Sequence, residues 1–194
     1  MYFFLIAMIY GWVMEIFISD IAKLYSPFKN EQLKKIDKKE FSTDIKLNDF
    51  EIEEILFDYE IENIPFNNTK KGYTTKGNIC ETQIIKKLKA EKIPIYNIQK
   101  YRNFTFKNIK VIGKIDGIIE YENTRMVLEI KSRCIGMQKP YISDLIQIIL
   151  YMELFHLEKG MLIIEKEGFL KGYVLQYNEE LCDAILKDIV DLFY

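Results

Sequence analysis

Three acids and one lysine are the residues whose predicted positions suggest chemistry: Glu81, Asp116, Glu129 and Lys131. Carboxylates that converge on one point repel one another, and without a cation their pKa values rise. Clusters of carboxylate oxygens suit hard ions such as Mg²⁺ or Mn²⁺. Such an ion beside a lysine ammonium is suited to phosphodiester hydrolysis, because the ion activates water and both cations offset the growing negative charge.

Glu81 lies on the apolar face of a helix predicted over residues 77–91, with Asn78 as its expected N-cap. Apolar residues follow it at i+3, i+4 and i+7, which is one helical face: Ile84, Ile85 and Leu88. Burial of this carboxylate is costly unless a cation accompanies it. The alternative is a glutamate at the edge of the apolar face that reaches water.

Residues 109–122 and 126–133 read as the two arms of a β-hairpin joined by a polar turn. In the second arm, Glu129 and Lys131 face the same side of the strand. Asp116 lies about as far before the turn as Glu129 lies after it, so the hairpin should bring Asp116 close to both. The alternative for Glu129 and Lys131 is an ion pair on the surface of a sheet.

Further elements surround this hairpin. The predicted set is a strand at 101–106, a helix at 143–155 capped by Ser143 with Asp144 in its first turn, a hairpin at 160–177 turning at 166–168, and a helix at 178–193 capped by Asn178. Gln147 and Tyr151, at i and i+4, give the otherwise apolar helix at 143–155 one polar stripe. The order of helices and strands predicts an α/β sandwich built on a mixed sheet.

The spacing of these residues resembles the PD-(D/E)XK nuclease superfamily. The resemblance rests on four segments: Lys76-Gly77-Asn78-Ile79-Cys80-Glu81 (Gly-x-x-x-(His/Glu)), Gly113-Lys114-Ile115-Asp116-Gly117 (the Asp half), Glu129-Ile130-Lys131 (ExK) and Gln147-Ile148-Ile149-Leu150-Tyr151 (Q-x-x-x-Y). The last segment is typical of the RecB-like branch, which includes lambda-type exonucleases and CRISPR-associated RecB-like exonucleases. The resemblance covers residues 77–151 and implies a restriction-endonuclease-like αβα sandwich with a central mixed sheet.

The resemblance also implies a ligand set for Mg²⁺ or Mn²⁺: Glu81, Asp116, Glu129 and the main-chain carbonyl of Ile130. In the same way, Lys131 is expected to orient or polarise the attacking water. Gln147 and Tyr151 are expected to position the phosphate or to brace Lys131. Without the family, these two are ordinary polar groups at the edge of a core.

Two departures from the branch concern Glu81 and the cysteines. Glu81 stands where RecB-like nucleases usually have histidine, although other branches of the superfamily have glutamate there. The CRISPR-associated members usually hold an iron–sulfur cluster on four cysteines, and the three cysteines here (Cys80, Cys134 and Cys182) cannot supply that set, so we expect no cluster. Three unclustered cysteines also suggest a reducing compartment, and we expect a cytoplasmic protein.

The charge distribution is uneven, although the net charge of the 194-residue chain is only −2. Residues 70–110 contain eleven lysines and arginines against two glutamates. We expect part of this block to hold a polyanion backbone without reading bases: Lys70, Lys71, Lys86, Lys87, Lys89, Lys100 and Arg102. The alternative is a solvated lysine-rich face.

Residues 1–18 form an apolar run interrupted by Glu15. The run lacks a basic segment before it and is short for a membrane span. We therefore expect a buried helix, or a helix that docks a protein partner or a second copy of the chain, and we regard a membrane anchor as the lesser alternative.

The chain is expected to divide into an N-terminal helical or variable region at 1–70 and a nuclease-like core at 71–194 that together form one compact unit. Residues 28–46 read as a surface connection and residues 67–72 as a loop. The acidic stretch at 48–64 fits a helix or a strand equally well.

The resemblance implies a metal-dependent DNA nuclease that acts on single strands or on ends. A Holliday-junction resolvase is the alternative within the enzymes. A non-catalytic nuclease-fold protein, which binds DNA or a partner through the apolar N-terminus, is the alternative of another class.

Overall fold

A computed structural model of the chain describes residues 14–25, 45–55, 57, 59–63, 70–134 and 137–193. Its strands are β1 (Met14–Phe17), β2 (Ile52–Ile55), β3 (Ile95–Tyr96), β4 (Tyr101–Phe106), β5 (Ile109–Lys114), β6 (Gly117–Tyr121), β7 (Thr124–Ser132), β8 (Lys159–Lys166) and β9 (Phe169–Gln176). Its helices are α1 (Ile18–Leu24), α2 (Lys70–Ala90), α3 (Ile142–Phe155) and α4 (Glu179–Phe193), and one 3₁₀ turn covers Leu47–Asp49.

Among these residues, the larger sheet has six strands in the order β2-β9-β8-β7-β6-β3. β7 and β8 are parallel, and α3 is the crossover between them, as a parallel connection requires. The other neighbouring strands are antiparallel. Both predicted hairpins form: β6 and β7 turn at Glu122 and Asn123, whose positive φ angles of 50° and 60° suit a two-residue hairpin loop, and β8 and β9 turn at 167–168.

Helices cover both faces of this sheet. Ile84 and Leu88 of α2 are fully buried in a cluster with Leu128 of β7, on one face. Ile148 of α3 and Ile185 of α4 are buried in a second cluster with Val127, on the other face. Adjacent residues of a strand point to opposite faces, so β7 separates the two clusters. The predicted αβα sandwich with a central mixed sheet is confirmed.

A smaller sheet, in the order β1-β5-β4 within the described residues, lies at the end of the predicted hairpin. The prediction of one continuous strand over 109–122 is wrong, because the chain leaves the larger sheet between Lys114 and Gly117. β6 pairs with β7, whereas β5 pairs with β4 and β1. The alternation of buried positions continues without a break from β5 into β6. The pattern therefore predicts which residues are buried but not which strand pairs with each part of the segment.

α2 begins earlier than predicted. The chain is helical from Lys70 onward, so Asn78 lies inside the helix and is not its N-cap. Of the loop predicted at 67–72, residues 70–72 are helical and residues 67–69 lie outside the described residues. The tertiary reason is that Lys76 and Cys80 of this helix are buried and contact Glu165 of β8. Such packing overrides the local preference of a segment that contains two glycines.

The first turn of α3 also differs from the prediction. Tyr141, and not Ser143, is the N-cap residue, and the Asp144 carboxylate accepts the backbone N–H of Tyr141 at 2.9 Å. The guanidinium of Arg133 is hydrogen-bonded to Asp144 and lies 4.3 Å from the centre of the Tyr141 ring. For α4, the predicted cap is confirmed, since Asn178 Oδ1 accepts the N–H of Leu181 at 3.0 Å.

The described N-terminal segments join both sheets. Met14–Phe17 is a strand parallel to β5, which differs from the helix predicted for the apolar run; residues 1–13 of that run lie outside the described residues. The acidic stretch contributes β2, so its central part is a strand. The surface connection predicted at 28–46 falls almost wholly outside the described residues. Strands from both sides of the predicted boundary at residue 70 therefore share sheets, while the boundary itself stays a prediction.

In the described part of the chain, no helix combines the length and the apolar character needed to cross a bilayer.

Candidate active site

Asp116 lies at the point where β5 leaves β6. The β6–β7 pairing stops at Gly117 and Leu128, while β7 continues beside β8 as far as Ser132. The backbone N–H of Ile130 therefore faces a gap, and the Asp116 carboxylate accepts it at 2.7 Å. An unpaired buried amide is costly, which explains why a carboxylate side chain takes the place of a strand here.

Glu81 of α2 is joined to Asp116 through the side chain of Gln99. Its side chain is half-buried, and its Oε1 accepts a hydrogen bond from the side-chain amide of Gln99. The same amide nitrogen, Nε2 of Gln99, donates to Asp116 Oδ1 at 3.2 Å. The predicted inward orientation of Glu81 is therefore observed, and one amide group links it to Asp116.

Glu129 lies on β7 with only 5% of its surface exposed. Its Oε1 accepts hydrogen bonds from Lys131 Nζ at 2.6 Å and from Gln147 Nε2 at 2.9 Å. Its Oε2 is buried and has no hydrogen-bond partner within the described part of the chain; we call this atom the open oxygen of Glu129. Burial, together with the charge of Asp116, raises the pKa of Glu129 to about 8.

Gln147 and Tyr151 complete the site from α3. Gln147 Oε1 accepts from Lys131 Nζ at 2.9 Å, and its Nε2 donates to Glu129 and to the Tyr151 hydroxyl, the latter at 2.9 Å. Tyr151 is also hydrogen-bonded to the backbone of Lys114 at the end of β5. The amide of Gln147 thus has one orientation that satisfies an ammonium, a carboxylate and a hydroxyl together.

Gly113 allows α3 to approach β5 closely enough for this arrangement. A Cβ atom at residue 113 would lie 2.5 Å from Leu154 and 2.9 Å from the Tyr151 ring. These separations are closer than side chains tolerate, so only glycine lets Tyr151 reach the backbone at the end of β5.

Lys131 carries a full charge in this site. Burial alone would lower its pKa, but the nearby carboxylates of Glu129, Asp144 and Asp116 together raise the pKa above its ordinary value. At neutral pH, Lys131 is therefore an ammonium group that donates hydrogen bonds and cannot act as a base.

The three acids of the site share one electrostatic feature. Burial is the largest cause of the raised pKa values of Glu81 and Asp116, as it is for Glu129. Asp116 also adds a like-charge contribution to the pKa values of both glutamates. A site in which neighbouring carboxylates all resist ionisation is one that a bound cation would stabilise.

The available metal ligands are not gathered in this arrangement. In the described segments, no three His, Cys, Asp or Glu side chains are disposed as a group that could hold an ion. The Gln99 amide lies between Glu81 and Asp116, and Oε1 of Glu129 is directed to Lys131 and Gln147. Asp116 lies at the gap through its bond to Ile130, and the open oxygen of Glu129, the residue before Ile130, has no hydrogen-bond partner within the described part of the chain. The Ile130 carbonyl points to the same side as its N–H, as both groups of one strand residue do.

Gln99 is a residue of this site that the sequence did not identify. It lies in the connection between β3 and β4, where Asn97 and Gln99 both have positive φ angles, of 50° and 57°. A glutamine in a short polar loop carries no periodic signal, so no pattern in the sequence marks it.

The predicted basic block is spread over two regions. Lys86 and Lys89 are exposed on α2, whereas Lys87 is paired with Glu91 at 3.0 Å. Lys100 and Arg102 are exposed around the start of β4, and Arg102 stacks on the ring of Phe155. The side chains of Lys70 and Lys71 lie outside the described residues. Lys114 was not in the predicted set, yet its positive charge partly opposes the burial that raises the pKa values of both Glu81 and Asp116, which places it beside the site.

No protein-family model matches the chain, and no curated protein matches it. Among solved structures, it is similar to the crystal structure of SSO0001, with a TM-score of 0.49 and 22% identity over 61% of this chain. It is also similar to LHK-Exo in complex with dAMP, with a TM-score of 0.48 and 10% identity over 65% of this chain and 69% of that chain. The chain spans 60% of the length of the SSO0001 chain. Because both TM-scores lie below 0.5, the function of this protein is inferred from its own residues.

Proposed function

We propose that this protein is a metal-dependent nuclease that hydrolyses phosphodiester bonds in DNA, on single strands or at ends. The observation that carries the proposal is the open oxygen of Glu129. It lies buried beside the charge of Asp116, on the same residue whose other oxygen is bonded to the Lys131 ammonium. A buried carboxylate oxygen without a donor, next to a second carboxylate, is suited to a hard divalent cation.

The donor set fits Mg²⁺ or Mn²⁺. Four groups would hold the ion: Asp116, Glu129, Glu81 and the carbonyl of Ile130. All are oxygen donors, which these ions prefer. When bound, the ion supplies Lewis acidity that lowers the pKa of water and offsets charge on the phosphate.

Lys131 would stabilise the negative charge that develops on the phosphate, or orient the attacking water. Its ammonium is held at 2.6 Å from Glu129 and 2.9 Å from Gln147, so two of its three donors have fixed directions. The side chain remains 25% exposed, which leaves the third donor for a substrate oxygen. A donor fixed in this way needs little reorganisation during the reaction.

A polyanionic substrate suits the charges around the gap. Lys114 lies near Glu81 and Asp116, and Lys100 and Arg102 are exposed where β4 begins. Lysine and arginine hold a phosphate backbone electrostatically and without sequence preference. Contact with a partner or a second copy, expected for the apolar run at residues 1–18, stays a proposal for residues 1–13, because Met14–Phe17 pairs with β5 and Ile18 is fully buried within this chain.

The test is cleavage of end-labelled DNA in three forms, a single strand, a duplex and a four-way junction, each with Mg²⁺, with Mn²⁺ and with EDTA. We expect cleavage of the single strand or of duplex ends that requires Mg²⁺ or Mn²⁺. Asp116→Asn and Lys131→Met should abolish it. Lys171→Met is the matched control, because this lysine pairs with Glu54 on the surface, at 2.8 Å.

The outcomes separate the alternatives. Preferential cleavage of the four-way junction would identify a resolvase, and binding of DNA without cleavage by the folded protein would identify a non-catalytic protein. Equal cleavage of circular and linear single strands would exclude a requirement for ends. Cleavage that persists in EDTA, or that survives both site substitutions, would overturn the proposal.

A further inference from the structure

We propose that Gln99 is a positioning residue that occupies the place of the cation in the metal-free protein and must withdraw when the ion binds. This inference rests on the proposed metal-dependent function and identifies what regulates occupancy of the same site.

The geometry of one nitrogen atom supports this inference. Nε2 of Gln99 donates to Oε1 of Glu81 and to Oδ1 of Asp116, which come from a helix and from a strand junction. An amide nitrogen carries two N–H groups, so these two contacts use both of them. The nitrogen therefore lies at the point shared by two carboxylate oxygens, which is where a cation held by both of them would lie.

Backbone hydrogen bonds hold the loop of Gln99 beside Asp116. The N–H of Gln99 donates to the carbonyl of Asp116 at 3.4 Å, and the N–H of Ile115 donates to the carbonyl of Lys100 at 3.2 Å. The loop closes on itself through the N–H of Lys100 and the carbonyl of Asn97, at 3.1 Å. These bonds fix the loop to the β5–β6 junction, so the position of Gln99 relative to Asp116 follows from the main chain.

A neutral amide satisfies the two carboxylates only partly. It supplies hydrogen bonds to both oxygens but no positive charge, so it does not offset their mutual repulsion as an ion does. It therefore keeps α2 against the β5–β6 junction in the absence of metal. It also competes with the ion, because both bind the same oxygens.

The first arm of the test measures Mn²⁺ affinity by titration calorimetry. Gln99→Met keeps the length of the side chain and removes both donors. Since hydrogen bonds to a charged group must be broken before the ion can bind in the parent, we expect Gln99→Met to bind Mn²⁺ about tenfold more tightly. Asn97→Ala is the matched control in the same loop, because Asn97 also has a positive φ but its side chain faces Lys100; its affinity should stay within about twofold of the parent.

The second arm measures thermal unfolding in EDTA and in saturating Mn²⁺. Without the amide, Glu81 and Asp116 lose their shared donor, so Gln99→Met should melt about 4 °C below the parent in EDTA. This difference should vanish in saturating Mn²⁺. Gln99→Glu, of the same size as the parent residue, adds a carboxylate and should shift both measurements further in the same directions.

The results distinguish this inference from the proposed function. If the parent binds Mn²⁺ and cleaves DNA, but Gln99→Met binds Mn²⁺ equally or more weakly, Gln99 is not a placeholder and the proposed function stands. A weaker affinity would mean that Gln99 is itself a ligand. If neither the parent nor Gln99→Met binds Mn²⁺, both the placeholder and the metal-dependent function are wrong.

Discussion

Two buried glutamates on the two central strands of the larger sheet face opposite layers of the sandwich. Glu129 of β7 faces α3, and its exposed fraction is 5%. Glu165 of β8 faces α2, and it is fully buried. Each has a lysine partner, at 2.6 Å for Lys131 and at 3.9 Å for Lys76. The two regions therefore contain the same charged groups at similar depth.

They differ in how completely the carboxylate is satisfied. Oε2 of Glu165 accepts from the Ser132 hydroxyl at 2.5 Å and from the Cys80 thiol at 3.5 Å, and its Oε1 accepts the N–H of Gly168 at 2.9 Å. Both of its oxygens have donors. Glu129 instead accepts both of its hydrogen bonds on one oxygen, Oε1, and a second acid, Asp116, lies beside it.

This difference separates a structural ion pair from a site for chemistry. A buried carboxylate with donors on both oxygens fixes the elements around it, here α2, β7 and the β8–β9 turn. A buried carboxylate that has one oxygen without a donor and a second carboxylate beside it is destabilised, and a bound ligand can remove this destabilisation. Burial and an ion pair alone therefore do not mark a functional carboxylate.

The largest effect should follow from Glu129→Gln. This substitution keeps the size of the side chain and removes the charge that would hold the ion, so DNA cleavage should fall by about 10²–10³-fold. In EDTA at pH 8, the same variant should be at least as stable as the parent. A neutral side chain suits the buried position, and Lys131 keeps Gln147 as an acceptor and is 25% exposed, unlike the buried Lys76. Cleavage rates and urea unfolding measure the two effects.

Loss of stability together with activity in Glu129→Gln would contradict this view, because it would make Glu129 a structural residue like Glu165.

The pH dependence of the stability of the metal-free protein should show the same difference between Glu129 and Glu165. The pKa of Glu129 is about 8 in the folded protein and near 4.5 when unfolded. Between these values, the folded state binds more protons than the unfolded state, so the free energy of unfolding falls as the pH rises. From pH 5 to pH 9 in EDTA, we expect a loss of up to about 4 kcal/mol. Glu81 and Asp116 act in the same direction, because their pKa values are raised too.

Urea unfolding at several pH values measures this slope, and saturating Mn²⁺ should flatten it. Glu129→Gln should lose a large part of the pH dependence. A slope of the opposite sign in EDTA would show that the folded protein favours the ionised form of these acids without a metal.

Glu165→Gln should lower the stability of the protein and leave DNA cleavage nearly unchanged, which is the reverse of the effects expected for Glu129→Gln. It leaves the buried ammonium of Lys76 without its carboxylate, and such a loss costs about 3 kcal/mol of unfolding free energy. Below the melting temperature, cleavage should stay within about threefold of the parent, since this residue faces the other layer. The double variant Lys76→Met/Glu165→Gln should recover part of the stability, because it removes the unpaired charge. A loss of cleavage without a loss of stability would make Glu165 part of the active site.

The sequence predicted the relation between Asp116 and Glu129 because it is local. The prediction placed the polar turn at residues 122–125, with Asp116 about as far before it as Glu129 lies after it. The observed turn has two residues, and the pairing of Gly117 with Leu128 brings Asp116 level with Glu129. The inward orientation of Glu81 followed from helical periodicity in the same way. Both predictions needed only the spacing of side chains along regular elements.

The remaining features depend on contacts between distant segments, and no periodicity reports them. The split between β5 and β6 leaves the apolar alternation intact, so the second sheet could not be predicted from it. Glu165 reads as one acid at the end of an apolar strand, and its partners Lys76 and Cys80 lie on a helix some ninety residues earlier. Gln99 is a loop residue whose importance follows from the two carboxylates it bridges.

The smallest effect is expected from removing the hydroxyl of a buried tyrosine, Tyr151, and the comparison is with a second buried tyrosine, Tyr173. Tyr151→Phe removes the acceptor for one N–H of Gln147 and the bond to the backbone of Lys114. We expect a loss of about 1 kcal/mol in unfolding free energy. Cleavage should also fall by about three- to tenfold, because the brace on Lys131 loosens and the junction that carries Asp116 loses one of its ties.

Tyr173→Phe is the matched control for this substitution. The Tyr173 hydroxyl donates to the carbonyl of Gln138 at 2.8 Å, and the residue is as buried as Tyr151, but it lies on β9. Its stability loss should be similar and its cleavage unchanged. Equal cleavage by both variants would mean that Tyr151 only packs the core. A selective loss in Tyr151→Phe would place it in the hydrogen-bond chain that runs from the strand junction through Gln147 to Lys131.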